Sequence, residues 1–588
     1  MCRKWCILAS LVQLTAYGAV VVAAQSDDGQ WRLPGRDAAG TRYSGLAAIT
    51  PANAARLRAV WSFSTGVLGG HEGQPLVVNN TMYVVTPFPN VLYAFDLTQE
   101  GYPLKWKYRP DVNPSAVGSA CCDVINRGAS YGDGKIVYNL LDGHTVAVDA
   151  VTGKELWKTQ VADLGQGETT PMAPFIARDR VFVGPSGGEF GIHGWVKALD
   201  LATGRVVWTA HNMGPDSVIL ARADVFKPFY DHGTDLARVS WEGDSWQHGG
   251  APVWGWISYD STLDLVYFGT GNPGPYNTEQ RPGDNKWTNS VLARRRADGA
   301  LVWAYQFTPS DSWDFDSDAE MILVELPIQG HLRKVLVHFD KNGFGYTIDR
   351  ATGEVLVAQP FANENWARRI DLTTGRPEVD SSKITGASRG NVKDICPSLE
   401  GGKSPVSAAS YSKHTGLFYV STNNLCMDYQ AAQVSHIAGT PYIGATTPYH
   451  AGPGGYMGAF IAWDAAAGRR VWEIRERFPV WSGSVVTAGD VVFYGTLDGW
   501  FKAADARRGT VLWKFKVGSG VVGAPVTYRG PDGKQYVAVY AGIGGDWFLL
   551  SGDVRSDDPA DVRPRADFAP DLARHTSQGG IVWVFALE

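Results

Sequence analysis

Ala147-Val148-Asp149-Ala150-Val151-Thr152-Gly153-Lys154-Glu155-Leu156-Trp157 is the stretch whose reading decides the fold. It reads as a strand ending in Asp, a tight turn closed by Gly, and a second strand opening towards Trp. The pattern returns as Ala198-Leu199-Asp200 with Gly204 and Trp208, as Ala462-Trp463-Asp464 with Gly468 and Trp472, and as Ala503-Ala504-Asp505 with Gly509 and Trp513. Weaker copies lie at Asp96 with Trp106, at Arg295 with Gly299 and Trp303, and at Asp349 with Gly353. Self-similarity at a period of roughly 40 to 55 residues is the mark of a propeller, in which each blade packs only on its neighbours. The seven copies predict an all-β, eight-bladed propeller with few helices. Two intervals, Asp200 to Arg295 and Asp349 to Asp464, are about double length, and each has room for a further blade or a long functional insertion. The last strand, Gly580 to Leu587, is expected to close the ring against N-terminal segments, and Pro51 to Val60 to form a short helical turn leading into Trp61.

Composition agrees. The 588 residues include 68 Gly and 22 Trp, which suits many short strands joined by tight turns. Net charge is −6 with no basic block, so nucleic acid is not an expected partner. Met1-Cys2-Arg3-Lys4, an apolar run from Trp5 to Ala24 and then polar Gln25-Ser26-Asp27-Asp28 read as a secretory signal over 1–24, cut after Ala24. An uncleaved anchor is the alternative reading. The mature chain, 25–588, is then one propeller domain with no membrane span, exported to the periplasm. Cys121, Cys122, Cys396 and Cys426 remain, an even number for an oxidising compartment. No Cys-x-x-Cys-His haem motif, dinucleotide Gly-x-Gly-x-x-Gly, P-loop or His-Glu-x-x-His occurs. Gly184-Pro185-Ser186-Gly187-Gly188 fits Gly-x-Ser-x-Gly by letter only, because no helix pattern follows it.

Several stretches carry chemistry. Pro309-Ser310-Asp311-Ser312-Trp313-Asp314-Phe315-Asp316-Ser317-Asp318 packs four carboxylates beside two aromatics. In an extended segment Asp314 and Asp316 would share a face, which is either a solvated acidic turn or a cation site. Glu189 in Gly-Gly-Glu-Phe-Gly and Asn272 in Gly-Asn-Pro-Gly-Pro are further oxygen ligands for a hard metal, or else turn residues. Cys121 and Cys122 either pair elsewhere or form a strained ring disulfide, a flat rigid platform. Trp254, in a Gly-rich loop, is a core aromatic or a stacking surface for a planar ligand.

These motifs, in this order, are similar to those of quinoprotein alcohol dehydrogenases, and the resemblance is strongest to the lanthanide-dependent methanol dehydrogenase large subunits. It extends through Cys396-Pro397-Ser398, Tyr442-Ile443-Gly444-Ala445 and Phe493 to Gly499. The resemblance implies pyrroloquinoline quinone (PQQ) on the propeller axis, between a Cys121–Cys122 ring disulfide and Trp254. It gives cofactor contacts to Glu72, Arg127, Ser186, Lys341, Ser404, Trp481 and Trp547, metal ligation to Glu189, Asn272, Asp314 and Asp316, and a structural Cys396–Cys426 disulfide. It makes Asp314 the base that takes the hydroxyl proton of a primary alcohol and Arg127 the charge that stabilises the transition state. It also implies a separate cytochrome c as electron acceptor, and leaves open whether two copies pair as a homodimer. Asp316 matches the lanthanide-dependent members; calcium-dependent ones carry a non-acidic residue there. Three carboxylates suit a trivalent ion better than a divalent one. A calcium enzyme and a non-catalytic periplasmic scaffold are the alternatives. Three positions depart from the family: Ser404 for Asn or Asp, Tyr276 for Trp in the Gly-Asn-Pro-Gly-Pro loop, and Pro171 for Thr, with Thr169 and Thr170 beside it.

Overall fold

The computed structural model describes residues 28–545, 569 and 571–588. The signal segment 1–24, Trp547 and most of the Asp/Arg/Pro-rich stretch from 553 to 577 lie outside the described residues. Eight sheets of four principal antiparallel strands carry the fold. Seven come from consecutive segments: 76–108, 129–160, 175–211, 257–306, 322–360, 410–476 and 485–516. The first strand is generally more buried than the last, as in Leu76–Val78 against Leu104–Tyr108, although Leu301–Gln306 is itself largely buried. First strands of successive sheets adjoin, from Leu76–Val78 to Ala129–Gly132 to Phe175–Ala177 to Ile257–Asp260 to Ile322–Ile328, so they ring a common axis. The two α-helices among the described residues, Ala116–Ser119 and Leu236–Val239, have four residues each.

The eighth blade explains why seven turn copies accompany eight blades. It joins Val526–Arg529, Gln535–Ala541 and Ile581–Leu587 to an outermost strand, Leu57–Ser64, from the other end of the chain. Its third and fourth strands are therefore not joined by a turn, but Trp61 still marks the place. A register shift falls beside this position in every blade, at Ala59/Trp61, Glu155/Trp157, Ala198/Leu199 and the rest. Of the helical turn expected over Pro51 to Val60, only Ala54–Arg56 forms one, a 3-10 turn, while Leu57 to Val60 already belong to this strand.

The repeat is a staple between blades. Asp149 Oδ1 accepts from the backbone N–H of Val151 and Thr152 at 3.1 and 2.8 Å, which holds the turn. Gly204 has φ +71°, and a Cβ there would sit 2.6 Å from the Trp157 ring of the preceding blade. The Trp157 indole N–H then donates to Leu201 O at 3.2 Å. Trp208, Trp303 and Trp472 dock likewise on Gly299, Gly353 and Gly509. Trp513 donates to Leu57 O at 3.1 Å and Trp61 to Gly101 O at 2.9 Å, which carries the staple across the ring closure. In the 322–360 blade Val357 takes the Trp position against Gly468.

Both double-length intervals hold insertions, not extra blades. Residues 212–256 lie between two sheets, and 361–409 contributes the hairpin Ala367–Asp371/Arg376–Val379 and the strand Asn391–Ile395. That strand pairs with Leu425–Ala431, which is itself inserted into the 410–476 blade. This second sheet roofs the cavity described next.

Candidate active site

A cavity of about 250 Å³ is lined by residues from widely separated segments, among them Cys121, Cys122, Arg127, Ser186, Glu189, Trp254, Asp314, Asp316 and Lys341. The segment carrying the two aspartates links the 257–306 and 322–360 blades. Asp311 shapes it, accepting from Trp313 N at 2.9 Å and Phe315 N at 3.1 Å. Trp313 and Phe315 pack with Trp366, their ring centroids 5.1 and 5.5 Å from it, and anchor the loop in apolar surroundings. The expectation that Asp314 and Asp316 share a side holds, but not through an extended backbone. Asp314 has φ +64°, an unusual conformation for a non-glycine residue that the surrounding packing must enforce. Both carboxylates meet one ammonium: Lys341 Nζ lies 2.9 Å from Asp314 Oδ2 and 2.8 Å from Asp316 Oδ2.

Charge is concentrated here. Burial pushes the Asp314 carboxyl well above the usual carboxylate range, opposed by Lys341 and reinforced by the negative Asp316 and Glu189. Asp318, which accepts from Trp254 N and Gly255 N at 3.1 and 3.3 Å, is also pushed well up by burial and by Asp316. On the other wall, Arg127 Nε donates to Glu72 Oε2 at 3.0 Å and its NH1 to Trp254 O at 3.2 Å, and the guanidinium lies 4.7 Å from the Trp254 ring centroid. Glu72 thus acts through Arg127.

The donor set fits a hard cation. The Asn272 side-chain oxygen lies 3.3 Å from Glu189 Oε1 and 3.2 Å from Asp316 Oδ1, oxygens facing oxygens. Turning the amide over would let its nitrogen donate to both carboxylates; with the oxygen inward, only a cation satisfies the group. Asp314 Oδ1 is buried without a hydrogen-bond partner, one more acceptor in the same place. A planar cofactor also fits, because the Trp254 indole and the Cys121-Cys122 pair both line the cavity.

The predicted residues do not all stand in one layer. Asn272 and Ser404 are fully buried behind the lining residues, and the Ser404 hydroxyl has no hydrogen-bond partner. Trp481 is fully buried in a cluster with Leu497, Val522 and Ile543. Trp547 lies outside the described residues. At the Pro171 departure, Thr169 lines the cavity beside the proline while the Thr170 hydroxyl turns away to Leu140 O at 2.7 Å, so a hydroxyl-bearing side chain remains at the wall. Tyr276 is buried in the wall, its phenol pushed well up by burial and by the nearby Asp314 and Glu189. Cys396 and Cys426 form the expected disulfide. Sequence reading gave no role to Leu399, Glu400, Ile443, Ala445 and Tyr449, all from the roof. Ile443 and Ala445 stood in a family-like motif, and Glu400 lies just beyond Cys396; nothing local shows that these loops fold over the axis.

Comparison with known proteins identifies the family. The family model described as "PQQ: Glucose/ethanol/alcohol dehydrogenase, beta-propeller domain" matches residues 31–359 and 473–537. The lanthanide-dependent methanol dehydrogenase of Methylacidiphilum fumariolicum is 48% identical over 606 residues, covering 100% of this chain and 99% of that protein. Methanol dehydrogenase (cytochrome c) subunit 1 of Methylobacterium organophilum is 41% identical over 584 residues, covering 97% of this chain and 92% of its own. A solved europium-containing methanol dehydrogenase superposes with a TM-score of 0.92 at 50% identity, covering 95% of this chain and 98% of that one. With its propeller and its full length matched, the chain is a member of the PQQ-dependent alcohol dehydrogenases, the propeller quinoproteins.

Proposed function

We propose that this protein oxidises primary alcohols, methanol or a broader range, to aldehydes in the periplasm, with PQQ and a lanthanide ion, and passes electrons one at a time to a cytochrome c. The observation that carries the metal choice is Asp316. Its Oδ1 accepts from the Asn272 main-chain N–H at 2.7 Å beside the amide that also meets Glu189, and its Oδ2 shares Lys341 with Asp314, so a third carboxylate joins Glu189 and Asp314 around one point. The attraction of these carboxylates for an ion grows with its charge, so a third carboxylate favours a trivalent ion over a divalent one. The chain's similarity to lanthanide-dependent relatives supports the same reading.

In this reading Glu189, Asn272, Asp314 and Asp316 would hold the ion, and a Cys121–Cys122 ring disulfide and Trp254, which both line the cavity, would pack against the cofactor. Glu72, Arg127, Ser186, Lys341, Ser404, Trp481 and Trp547 contact or support it. PQQ bound beside its metal supplies an electrophilic quinone that accepts two electrons from the alcohol. Asp314 takes the hydroxyl proton on its carboxylate, which Lys341 fixes through Oδ2. Arg127, locked by Glu72 and the Trp254 carbonyl, supplies positive charge at the opposite wall without reorganising. The apolar setting of Trp313, Phe315 and Trp366 keeps the base loop rigid. Export rests on the 1–24 signal reading, and the cytochrome acceptor on the lack of a haem motif in the sequence and on the names of relatives.

The test is reconstitution of apoprotein with PQQ and either lanthanum or calcium, followed by quinone absorbance and dye-linked alcohol oxidation. Lanthanum is expected to restore both. Activity with calcium alone would overturn the metal assignment, and no alcohol oxidation with either ion would overturn the enzymatic reading.

A further inference from the structure

Asp340, the residue before Lys341, is fully buried behind the cavity wall. One of its oxygens serves two neighbours. Ser317 Oγ donates to Asp340 Oδ2 at 2.6 Å, and His338 Nε2 lies 3.0 Å from the same oxygen. The other oxygen, Oδ1, accepts from Asn342 N at 2.9 Å and fixes the turn that follows Lys341. His338 reaches on through Nδ1, 3.2 Å from Glu320 O. Ser317 and Glu320 belong to the segment that carries Asp314 and Asp316. Asp340 and His338 therefore clamp that segment at two points.

The other side of the segment is seated on the preceding blade. Ser317 N donates to Thr270 O at 3.2 Å, and a Cβ on Gly269 would collide with Ser317 O, so the two backbones touch. The Ser317 hydroxyl is thus the tie between a segment resting on one blade and the strand end of the next blade, where Lys341 stands. Lys341 is held from its own side, where Gly402 N donates to Lys341 O at 2.8 Å. The contact between the two has little slack. Lys341 Nζ meets Asp314 Oδ2 at 2.9 Å and Asp316 Oδ2 at 2.8 Å, and one ammonium keeps both only while segment and lysine stay in place. Charge-assisted bonds of this kind run at about 2.7–2.9 Å, and a site loses function when its groups shift by about 0.5 Å.

We propose that Asp340 is a positioning residue of the reaction: through Ser317 and His338 it sets the base segment against Lys341, so that Asp314 and Asp316 keep their spacing around one ammonium. Asp340 touches neither substrate nor cofactor and takes no proton from the alcohol. The proposal rests on the reading of Asp314 as base and of Asp316 as metal ligand.

The test uses two variants. Ser317→Ala deletes the hydroxyl and keeps the backbone bond to Thr270. Asp340→Asn keeps a partner for that hydroxyl, which can donate to an amide oxygen or accept from an amide nitrogen, but removes a buried charge. Melting temperature, terbium luminescence of the apoprotein, and kcat and KM of the holoenzyme with methanol are measured for each. In Ser317→Ala terbium affinity and kcat are each expected to fall about tenfold or more, with KM within about twofold of the wild type. In Asp340→Asn the melting temperature is expected to fall further than in Ser317→Ala, while kcat and terbium affinity fall less. A merely structural role would make kcat and terbium affinity follow melting temperature. That order, or wild-type kcat and terbium affinity in Ser317→Ala, would overturn the proposal. Terbium binding reads the segment without turnover, and methanol oxidation by the wild-type holoenzyme reports separately on the dehydrogenase reading.

Discussion

Replacing Asp316 by Asn tests the charge logic of the site with the least disturbance of its shape. The amide oxygen still accepts from Asn272 N, a 2.7 Å bond in the native protein, and Lys341 keeps Asp314 at 2.9 Å. What is lost is one full negative charge in a site 4% exposed. Removing one member of a buried charge pair costs about 3–5 kcal/mol, which sets the expected loss of trivalent-ion affinity. Coulomb energy scales with the charge of the ion, so a divalent ion loses two-thirds as much, about 2–3 kcal/mol. The selectivity for trivalent over divalent ions therefore falls by about 1–2 kcal/mol, roughly five- to thirtyfold. The assay is competition between a luminescent lanthanide and calcium for the apoprotein, with melting temperature recorded alongside. The apo variant is expected to unfold near the wild-type temperature, because the lost Lys341 contact is offset by relief of repulsion with Asp314 and Asp318. Equal losses for both ions, or no loss of lanthanide affinity, would refute the assignment of Asp316 as the charge that selects the metal.

Three further outcomes follow from the fold. Trp157→Ala removes a blade staple and its bond to Leu201 O, and is expected to lower stability by about 3–5 kcal/mol in thermal or urea unfolding. Removing the Cys396–Cys426 disulfide by paired Ser substitutions releases a closure between residues 30 apart in sequence and should cost about 3–4 kcal/mol by the same measurement. Acid should destabilise the protein through buried histidines: burial lowers His71 and His193 from 6.5 to about 4. The unfolded chain takes up these protons below pH 6.5 and the folded chain does not until about 4, so their contribution is lost as pH falls through that window. Urea midpoints measured from pH 7 to 4 check this, and His71→Asn should flatten the profile.

The sequence by itself determined the architecture, because the Asp–Gly–Trp turn is a local device repeated often enough to count. Its Asp and Gly are dictated by short-range chemistry, an Asp that caps a turn and a Gly with positive φ, while its Trp docks on the Gly of the next blade. The site's chemical types were equally legible, since paired carboxylates, vicinal cysteines and Gly-rich loops keep their order along the chain. Tertiary structure decided what depends on distance across the ring. It showed that the eighth blade is made by both ends of the chain, with Trp61 standing in for the missing turn. It assigned the double-length intervals to insertions whose loops roof the cavity, a question local periodicity leaves open because a strand pair looks the same in a blade or in a cap. It replaced the extended segment at Asp314 with a left-handed one, in which Asp311 and the Trp366 cluster override the alternation of a strand. Above all, it brought Lys341 between Asp314 and Asp316, joining residues from separate segments whose meeting depends on the closed ring and its roof.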